Sequence, residues 1–265
     1  MTVINGLIVE SEEHKKKNYP REDAFLFNAD KKILAIADGV TRESYVSGKE
    51  SPAKIAADLF CNNFVYYWDS LKVKEKNVLD AFEYANKSIH VWNNKEIPNP
   101  DYTTVDLAGC VASGAVIIND ICFWGFICDC GIVLVNKDGE ILFKTKDEGP
   151  TVHEKYIWKD KKLQGLTWRD AESRKIIRTQ FRNNPSEEHS FGVLTGENLA
   201  MKYVRTAKTL LMKGDVVIVY TDGLEPLFSQ KKFSELIKNR NFGGLKQLSQ
   251  EIVQSEGSLV YYLHE

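Results

Sequence analysis

The sequence has little of what marks disordered, nucleic-acid-coating or membrane-spanning proteins. Only 7 of its 265 residues are proline and 17 are glycine, while 11% are aromatic, which excludes a mainly disordered or linker-like chain. It has no excess of charge of one sign: 35 basic and 37 acidic residues leave a formal net charge of −2. That balance argues against a partner that is nucleic acid or an anionic membrane. Its apolar runs, such as residues 33–37 and 216–220, fall far short of the roughly 20 residues that cross a bilayer.

Several motifs with a defined chemistry are also missing. Neither G-x-G-x-x-G nor G-x-x-x-x-G-K-[ST] occurs, so a loop that cradles a nucleotide has no support. The five histidines contain no H-x-x-x-H pair, and we predict that most of them lie on the surface or pack in the interior. The first ten residues lack a basic segment followed by an apolar one, so they do not form a secretory signal.

The five cysteines are an odd number, and four of them fall in hydrophobic, strand-like segments. This usage predicts free thiols in an intracellular, cytoplasmic protein. Cys122, Cys128 and Cys130 have the spacing C-x₅-C-x-C, which lacks the paired CxxC of structural zinc sites. We therefore interpret them as buried strand thiols rather than zinc ligands.

Hydrophobic periodicity predicts strands first and helices next. Short apolar segments over residues 7–10, 24–28 and 32–37 predict strands, with the charged run EEHKKK of residues 12–17 as a solvated loop. Ser51 as N-cap and Pro52 in the first turn precede apolar residues at helical spacing, which predicts a helix. A second amphipathic helix is predicted over residues 73–92.

The remainder of the chain returns to strands. We predict strands over residues 110–118, 121–128, 131–136 and 141–144, with Asp138-Gly139 as a hairpin turn. Later strands are predicted over residues 191–194, 215–220 and 259–263, and helices over residues 170–181, 233–239 and 244–254. Strands and helices that come in blocks favour an α+β fold of antiparallel sheets over a doubly wound parallel sheet.

Two Asp-Gly pairs stand at the ends of apolar strands. Asp38-Gly39 ends LAIADG and Asp222-Gly223 ends VVIVYTDG. A carboxylate at a strand end, followed by a glycine that exposes its carbonyl, suits a hard divalent cation, although each pair taken alone is most often a turn. The acidic pair Glu22-Asp23 precedes the strand over residues 24–28. We therefore predict that the hairpin of residues 24–37 brings this pair toward Asp38.

Five sequence motifs follow one another in a fixed order. They are REDAFLF, ILAIADGV, the helical GKESPAKIAADL, AGCVASGAVI with FICDCGIVLV, and GDVVIVYTDGL. In this order and spacing the chain resembles the metal-dependent protein phosphatase 2C family over residues 5–263. The resemblance implies one phosphatase domain over residues 1–265, built as a four-layer αββα sandwich of two antiparallel sheets flanked by helices.

The resemblance also implies a metal centre. It assigns two Mg²⁺ or Mn²⁺ ions to a cleft at one end of the sandwich, with a weaker third ion near Asp129. The implied ligands act directly or through metal-bound waters; they are Glu22, Asp23, Asp38, the carbonyl of Gly39, Asp222 and Asp129. The nucleophile is then a metal-activated water, so no side chain, and no cysteine, is needed to attack the phosphate.

Several positions depart from the family pattern. Asn18 stands where the family has its phosphate-binding arginine, so Lys17 and Arg21 are the candidates to replace it. Ser255 stands at the position of the last metal-binding aspartate, and Glu256 follows one place later as the candidate ligand. Glu225 is the only acidic candidate just beyond Asp222-Gly223, and Thr41-Arg42 replaces a glycine pair beyond Asp38-Gly39. The Trp- and Lys-containing stretch of residues 155–168 is either a flap beside the cleft or a polar connector.

The leading hypothesis is a metal-dependent serine/threonine phosphoprotein phosphatase that acts in signalling on phosphorylated protein substrates, as a monomer. The runner-up is a weak or inactive pseudophosphatase that keeps the sandwich as a binding module, and it rests on Asn18 and Ser255. A third possibility is a metal-dependent phosphoesterase that acts on small molecules.

Overall fold

The computed structural model describes residues 3–40, 50–70, 77–167 and 170–265. The strands in these ranges are β1 (Val3–Glu10), β2 (Ala24–Asn28), β3 (Ile33–Gly39), β4 (Cys110–Ile118), β5 (Ile121–Ile127), β6 (Gly131–Val135), β7 (Ile141–Lys144), β8 (Arg205–Leu210), β9 (Val216–Tyr220) and β10 (Glu256–Leu263). They form two antiparallel five-stranded sheets, in the order β1-β10-β9-β6-β7 and β2-β3-β4-β5-β8.

Most of the helices come in pairs between blocks of strands. They are α1 (Glu12–Lys16), α2 (Pro52–Asp69), α3 (Val78–Glu96), α4 (Pro150–Ile157), α5 (Ala171–Ile176), α6 (Lys231–Lys238) and α7 (Phe242–Ile252). The start of α2 is as predicted: the Ser51 side chain accepts a hydrogen bond from the Lys54 N–H, and Pro52 occupies the first turn. Helix α5 continues into a π-helical turn over Ile177–Phe181.

The two sheets pack face to face, and each carries helices on its outer face. Strand β9 contributes to both layers because its side chains point alternately to its two faces. Val217 and Val219 join the core between the sheets, while Val216 and Ile218 join the core shared with α6 and α7. All residues of β9 are buried. The other outer core contains residues of α2, α3, β3 and β4. The predicted four-layer α+β sandwich is thereby confirmed.

Most predicted elements are confirmed, and the bounds of β2, β4 and β7 agree with the prediction. The strand predicted over residues 191–194 is wrong, because Phe191 and Leu194 make only isolated bridges, to Arg182 and Cys110. Residues 73–76 of the second predicted helix lie outside the described ranges. Strand β8 was not predicted, because it is an exposed sheet edge that reads RTAKTL and lacks an apolar face.

The charged run predicted as a loop is also different in the structure, where it forms α1. Ser11 caps the helix by accepting from the His14 N–H, and acidic residues fill its first turn while basic ones fill its last. Ion pairs join Lys15 to Glu12 at 2.9 Å and Lys17 to Glu13 at 2.6 Å. Local capping and charge order thus form a helix from a segment that has little apolar character.

All five cysteines are free and buried. Cys128 and Cys130 lie in the turn between β5 and β6 rather than in strands, which corrects that part of the prediction. Burial raises the pKa of Cys122 to about 12, and it also raises the pKa of Cys130. None of the described helices is long and apolar enough to cross a membrane.

We expect Phe64→Ala to destabilise the protein strongly. Phe64 is fully buried on α2, and its ring lies against Gly114 of β4, so truncation leaves a cavity that should cost about 3–5 kcal/mol. Asn62→Ala, at an exposed position of the same helix, is the matched control and should change the free energy of unfolding by less than about 0.5 kcal/mol. Urea unfolding measures both. Equal effects of the two substitutions would contradict this account of the core.

Candidate metal centre

Acidic side chains from both sheets meet in one cavity of about 370 Å³ at one end of the sandwich. The cavity is lined by His14, Tyr19, Pro20, Glu22, Asp23, Asp38, Asp222, Ser255 and Glu256. Glu22 and Asp23 directly precede β2, and the pairing of Ala24 with Ala37 brings them beside Asp38. The predicted approach of this acidic pair to Asp38 is thus what the structure shows.

Asp38 stands near the end of β3, followed by a glycine at a close backbone approach. A Cβ at Gly39 would lie 2.6 Å from the carbonyl oxygen of Ala53 in α2, so only glycine fits there. The Gly39 N–H donates to the Glu22 carbonyl at 3.3 Å. The strand end is therefore held between the helix and the acidic pair.

The second Asp-Gly pair has an equally close neighbour. A Cβ at Gly223 would lie 1.8 Å from the carbonyl oxygen of Glu256, at the start of β10. Glycine therefore allows the loop that carries Asp222 to lie directly against the strand that carries Glu256. This contact brings both carboxylates to the same cavity.

Asp23 is held by hydroxyl groups of the opposite sheet. Its Oδ2 accepts from the Thr221 hydroxyl at 2.9 Å and from the Ser258 hydroxyl at 2.5 Å. The Ser258 N–H in turn donates to the Thr221 hydroxyl oxygen at 2.8 Å. Asp23 is 2% exposed, so this network fixes its carboxylate rather than leaving it free to move.

Glu256 reaches across to the acidic pair. Its Oε2 accepts from the Glu22 N–H at 2.8 Å. The resemblance placed a metal-binding aspartate one position earlier, and the longer side chain of Glu256 lines the same cavity as Asp38 and Asp222. The structure therefore brings together in this cavity all but two of the residues predicted to bind metal. The exceptions are Gly39, which has no side chain to line the cavity, and Asp129.

The carboxylates oppose one another's ionisation. Burial raises the pKa of Asp38 well above its ordinary value, and the charges of Asp23, Asp222, Asp129 and Glu256 raise it further. Burial and the charge of Glu256 raise the pKa of Asp23 to about 8. Burial raises the pKa of Glu256 to about 7, against the hydrogen bonds that it accepts from the backbone. Such a cluster favours bound protons or bound cations.

Asp129 lies in a neighbouring cavity that shares Asp222 with the first. Lys144, Lys146, Asp147 and Glu225 also line this second cavity. Burial, followed by the charges of Asp222 and Asp147, raises the pKa of Asp129 to about 7. Asp129 is thus close enough to interact with Asp38 and Asp222 but belongs to a separate pocket.

Two buried carboxylate oxygens accept no hydrogen bond in the described chain: Asp129 Oδ1 and Glu256 Oε1. Buried polar atoms in folded proteins nearly always have a partner, so each points to a cation or an ordered water. The donor set is all oxygen, which suits Mg²⁺ or Mn²⁺. Within the described ranges no group of three or more Asp, Glu, His or Cys side chains is placed to hold a metal ion by itself. A carbonyl such as that of Gly39, together with water, would have to complete the shell.

The predicted phosphate-binding residues lie outside the cavity wall. Lys17 pairs with Glu13, and its ammonium lies 5.6 Å from the ring centroid of Tyr19, which does line the cavity. Arg21 donates to Glu10 Oε2 at 2.7 Å. No lysine or arginine of the described ranges lines this first cavity.

Sequence reasoning missed His14 and Asp147. His14 stands in a charged run and was expected to be solvated or simply packed, but it is 6% exposed and lines the first cavity. The signal in the sequence that could have indicated the position of His14 is Ser11, which caps the helix that carries it. Asp147 lies in the loop after β7, where no strand-end Asp-Gly marks it. Thr41-Arg42 and Trp168 lie outside the described ranges.

Comparisons with known proteins agree with this fold. The family described as protein phosphatase 2C matches residues 11–255. The catalytic domain of the serine/threonine protein phosphatase PstP, solved with two manganese ions, has a TM-score of 0.65 at 16% identity, over 98% of this chain and 97% of that one. The Mycobacterium tuberculosis phosphatase PstP/Ppp has a TM-score of 0.66 at 15% identity, over 100% of this chain and 99% of that one. The S. agalactiae serine/threonine phosphatase has a TM-score of 0.65 at 18% identity, over 100% of both chains. These identities show a shared fold, and no curated protein matches significantly.

We expect the metal-free protein to lose stability as pH rises from about 4 to about 8. The pKa values of Asp23, Glu256 and Asp129 in the folded state lie above the unfolded values of about 4, so folding takes up protons across this window. Asp38→Asn removes one mutually repelling charge. Its melting temperature in EDTA should exceed that of the wild type at pH 8, by a margin that shrinks toward pH 5.

The control is Asp30→Asn, at an exposed position remote from the cavity, which should leave the melting temperature unchanged at both pH values. A lower melting temperature for Asp38→Asn at pH 8 would show that this carboxylate is not under charge repulsion.

Proposed function

The chain belongs to the protein phosphatase 2C family, and from this premise we propose that it is a metal-dependent serine/threonine phosphoprotein phosphatase. The observation that carries the proposal is the convergence of Glu22, Asp23, Asp38, Asp222 and Glu256 in one cavity. We further propose that residues 1–265 act as one domain, as a cytoplasmic monomer in signalling, on phosphorylated proteins.

The proposed centre holds two Mg²⁺ or Mn²⁺ ions, in parallel with the two manganese ions of the PstP catalytic domain. When bound, such ions activate water near neutral pH and neutralise charge on a phosphoryl group. Asp38, whose ionisation the neighbouring charges oppose, would hold such ions together with Asp222, Glu22, Glu256 and the Gly39 carbonyl. Asp23, whose carboxylate is fixed by the Thr221 and Ser258 hydroxyls, would act at this centre directly or through water. Asp129 would contribute to a weaker third site.

Among the described residues, the thiol beside the carboxylates is not available as a nucleophile for the phosphate. Burial keeps Cys130, which lines the neighbouring cavity, as a protonated thiol by raising its pKa. The carboxylates would repel a phosphate ester in the absence of cations. Cations at the centre are therefore what would make this cavity accept a phosphate group.

The alternative is a pseudophosphatase that binds without turnover. The observation in its favour is that no lysine or arginine lines the first cavity within the described ranges. Lys17 and Arg21 are engaged in ion pairs with Glu13 and Glu10. Calorimetric titration with Mn²⁺ separates the two functions when it is combined with the rate assay below.

We expect Asp38→Asn and Asp222→Asn to abolish most Mn²⁺-dependent hydrolysis of p-nitrophenyl phosphate and of a phosphothreonine peptide. Lewis-acid stabilisation is worth several kcal/mol, so each loss should be at least about 100-fold in kcat. Asp30→Asn is the control and should retain the wild-type rate. A wild type that binds Mn²⁺ but is no faster than Asp38→Asn would identify a pseudophosphatase.

We propose that Lys17 and Arg21 contribute to phosphate binding from the rim of the cavity. Burial raises the pKa of Glu256, and the positive charge of Arg21 partly opposes that rise, which places Arg21 near the carboxylates. Arg21→Ala and Lys17→Ala should raise KM for the phosphopeptide several-fold with little change in kcat, because they would remove binding that is equal in ground and transition states. Lys15→Ala, on the same helix as Lys17's partner Glu13, is the control. Unchanged KM in both variants would exclude this role.

A further inference from the structure

Strand β1 is a free edge of its sheet in the described part of the chain. It is the outermost strand and pairs with β10, from Val3 opposite Leu263 to Glu10 opposite Glu256. Its sequence, VINGLIVE, has no proline and no charged residue before Glu10. It therefore lacks the side chains that commonly keep an edge strand from pairing with another chain. The function proposed above gives this edge no role.

Two contacts show which backbone groups of β1 point away from the sheet. The Ser11 N–H donates to the Ser255 carbonyl at 2.7 Å, so every second residue before Ser11 also directs its backbone groups to β10. The Gly6 N–H instead donates to the side chain of its neighbour Asn5 at 2.8 Å. Gly6 and the residues two places on either side of it therefore direct their backbone groups outward, where an added strand can pair with them.

A cavity of about 520 Å³ follows this edge over residues 5–8, and we call it the edge cavity. On one side it is lined by Phe242 and Lys246 of α7, and Phe242 packs against the core beneath that helix. On the other side it is lined by Phe25 of β2, which packs against the core between the sheets, and by Arg21. Successive side chains of a strand added to β1 would point to these two walls in turn.

Among the described residues, the charged side chains that line the edge cavity are both basic. Lys246 is exposed and takes part in none of the ion pairs of the described chain, while Arg21 donates to Glu10 at 2.7 Å. A second copy of this chain paired through β1 would bring the same basic excess to the edge, which like-charge repulsion opposes. Charge complementarity therefore favours a partner with acidic side chains.

The edge leads toward the metal centre. Strand β1 ends at Glu10, and Glu256, which pairs with Glu10, lines the first cavity. Arg21 lines the edge cavity, and the next residue, Glu22, lines the first cavity. The four steps from Gly6 to Glu10 span about 14 Å in an extended strand. A phosphorylated residue in the first cavity and a segment paired with β1 are therefore within reach of one extended chain.

We propose that the β1 edge binds the protein substrate: an extended acidic segment near the phosphorylated residue adds to the sheet as a further strand, with its acidic side chains at Lys246 and Arg21. This inference rests on the phosphatase function proposed above and names the class of substrate, phosphoproteins that carry such a segment. Backbone pairing provides affinity, and the walls of the edge cavity provide the preference for acidic side chains. The Glu10 carbonyl already accepts from the Gln250 side chain at 2.6 Å, so the added strand ends before it.

The test measures KM for two phosphothreonine peptides that differ in one segment of about six residues, where one peptide has Glu at the positions at which the other has Gln. Both are made with the segment before and after the phosphothreonine. With Mn²⁺ and the full chain, we expect a KM about fivefold lower for the better Glu peptide than for its Gln counterpart, at similar kcat, because exposed ion pairs add to binding away from the reacting phosphate.

Lys246→Glu should bring this ratio of KM values close to one, because it reverses the charge that faces the segment. The matched control is Lys208→Glu, which makes the same change at an exposed position of β8, an edge strand of the other sheet, and should keep the ratio of the wild type. Each ratio compares two peptides on the same protein sample, so a variant that folds in lower yield still gives a valid ratio.

Backbone N-methylation of the Glu peptide separates strand addition from charge attraction alone. Methyl groups are placed on every second backbone nitrogen of the segment, in the two possible registers. One register blocks the N–H groups that face β1, and the other blocks those that face solvent. We expect the first register to raise KM to the value of the Gln peptide and the second to keep the low KM. A low KM in both registers would overturn strand addition.

The remaining outcomes distinguish the docking edge from the proposed function. Equal KM values for the Glu and Gln peptides, in a wild type that hydrolyses p-nitrophenyl phosphate, would overturn the docking edge and leave the phosphatase function intact. Sedimentation as a dimer that excess Glu peptide leaves intact, together with equal KM values, would assign the edge to a second copy of this chain. A wild type that hydrolyses neither peptide nor p-nitrophenyl phosphate would overturn the proposed function itself.

Discussion

The main electrostatic constraint on this structure is the mutual repulsion of the carboxylates at one end of the sandwich. Two unit charges 4 Å apart repel by about 4 kcal/mol at the effective dielectric constant near a protein surface. Burial opposes the charge of Asp38 most strongly, and the charges of four other carboxylates oppose it further. The chain tolerates this because the stabilising apolar cores lie elsewhere, between the sheets and beneath the helices. This destabilisation is confined to one end of the sandwich. A cation bound there would offset the repulsion and so stabilise the folded protein.

The carboxylates are held in place by contacts that cross from one sheet to the other. Asp23 belongs to the segment before β2, yet its hydrogen-bond donors are Thr221 and Ser258 of the opposite sheet. Gly223 lies against the backbone of Glu256, and Gly39 lies against α2. Sheet separation and the spacing of the acidic groups are thus fixed by the same contacts. A change in how the sheets pack would change the cavity as well.

The sequence allowed the sandwich and most carboxylates to be predicted because both are encoded locally. Alternation in β9 and the strand-end Asp38-Gly39 are visible in a few consecutive residues. His14 was missed because its environment is made by contacts 241 residues apart in the chain, and its neighbours in sequence are charged. Asp147 was missed because it lies in a loop where no strand-end Asp-Gly pair marks it. Residues 191–194 look like a strand because they are apolar and buried, but they pack without a strand partner.

The two cavities that share Asp222 differ in whether lysine side chains already offset their negative charge. The one around Asp129 is lined by Lys144 and Lys146, and Lys144 is ion-paired with Glu225. A cation near Asp129 would have to compete with ammonium groups that are part of the chain. The cavity around Asp38 is lined by no lysine or arginine among the described residues, so there a cation meets no such ammonium group. On charge alone we therefore expect a cation to bind more strongly near Asp38 than near Asp129.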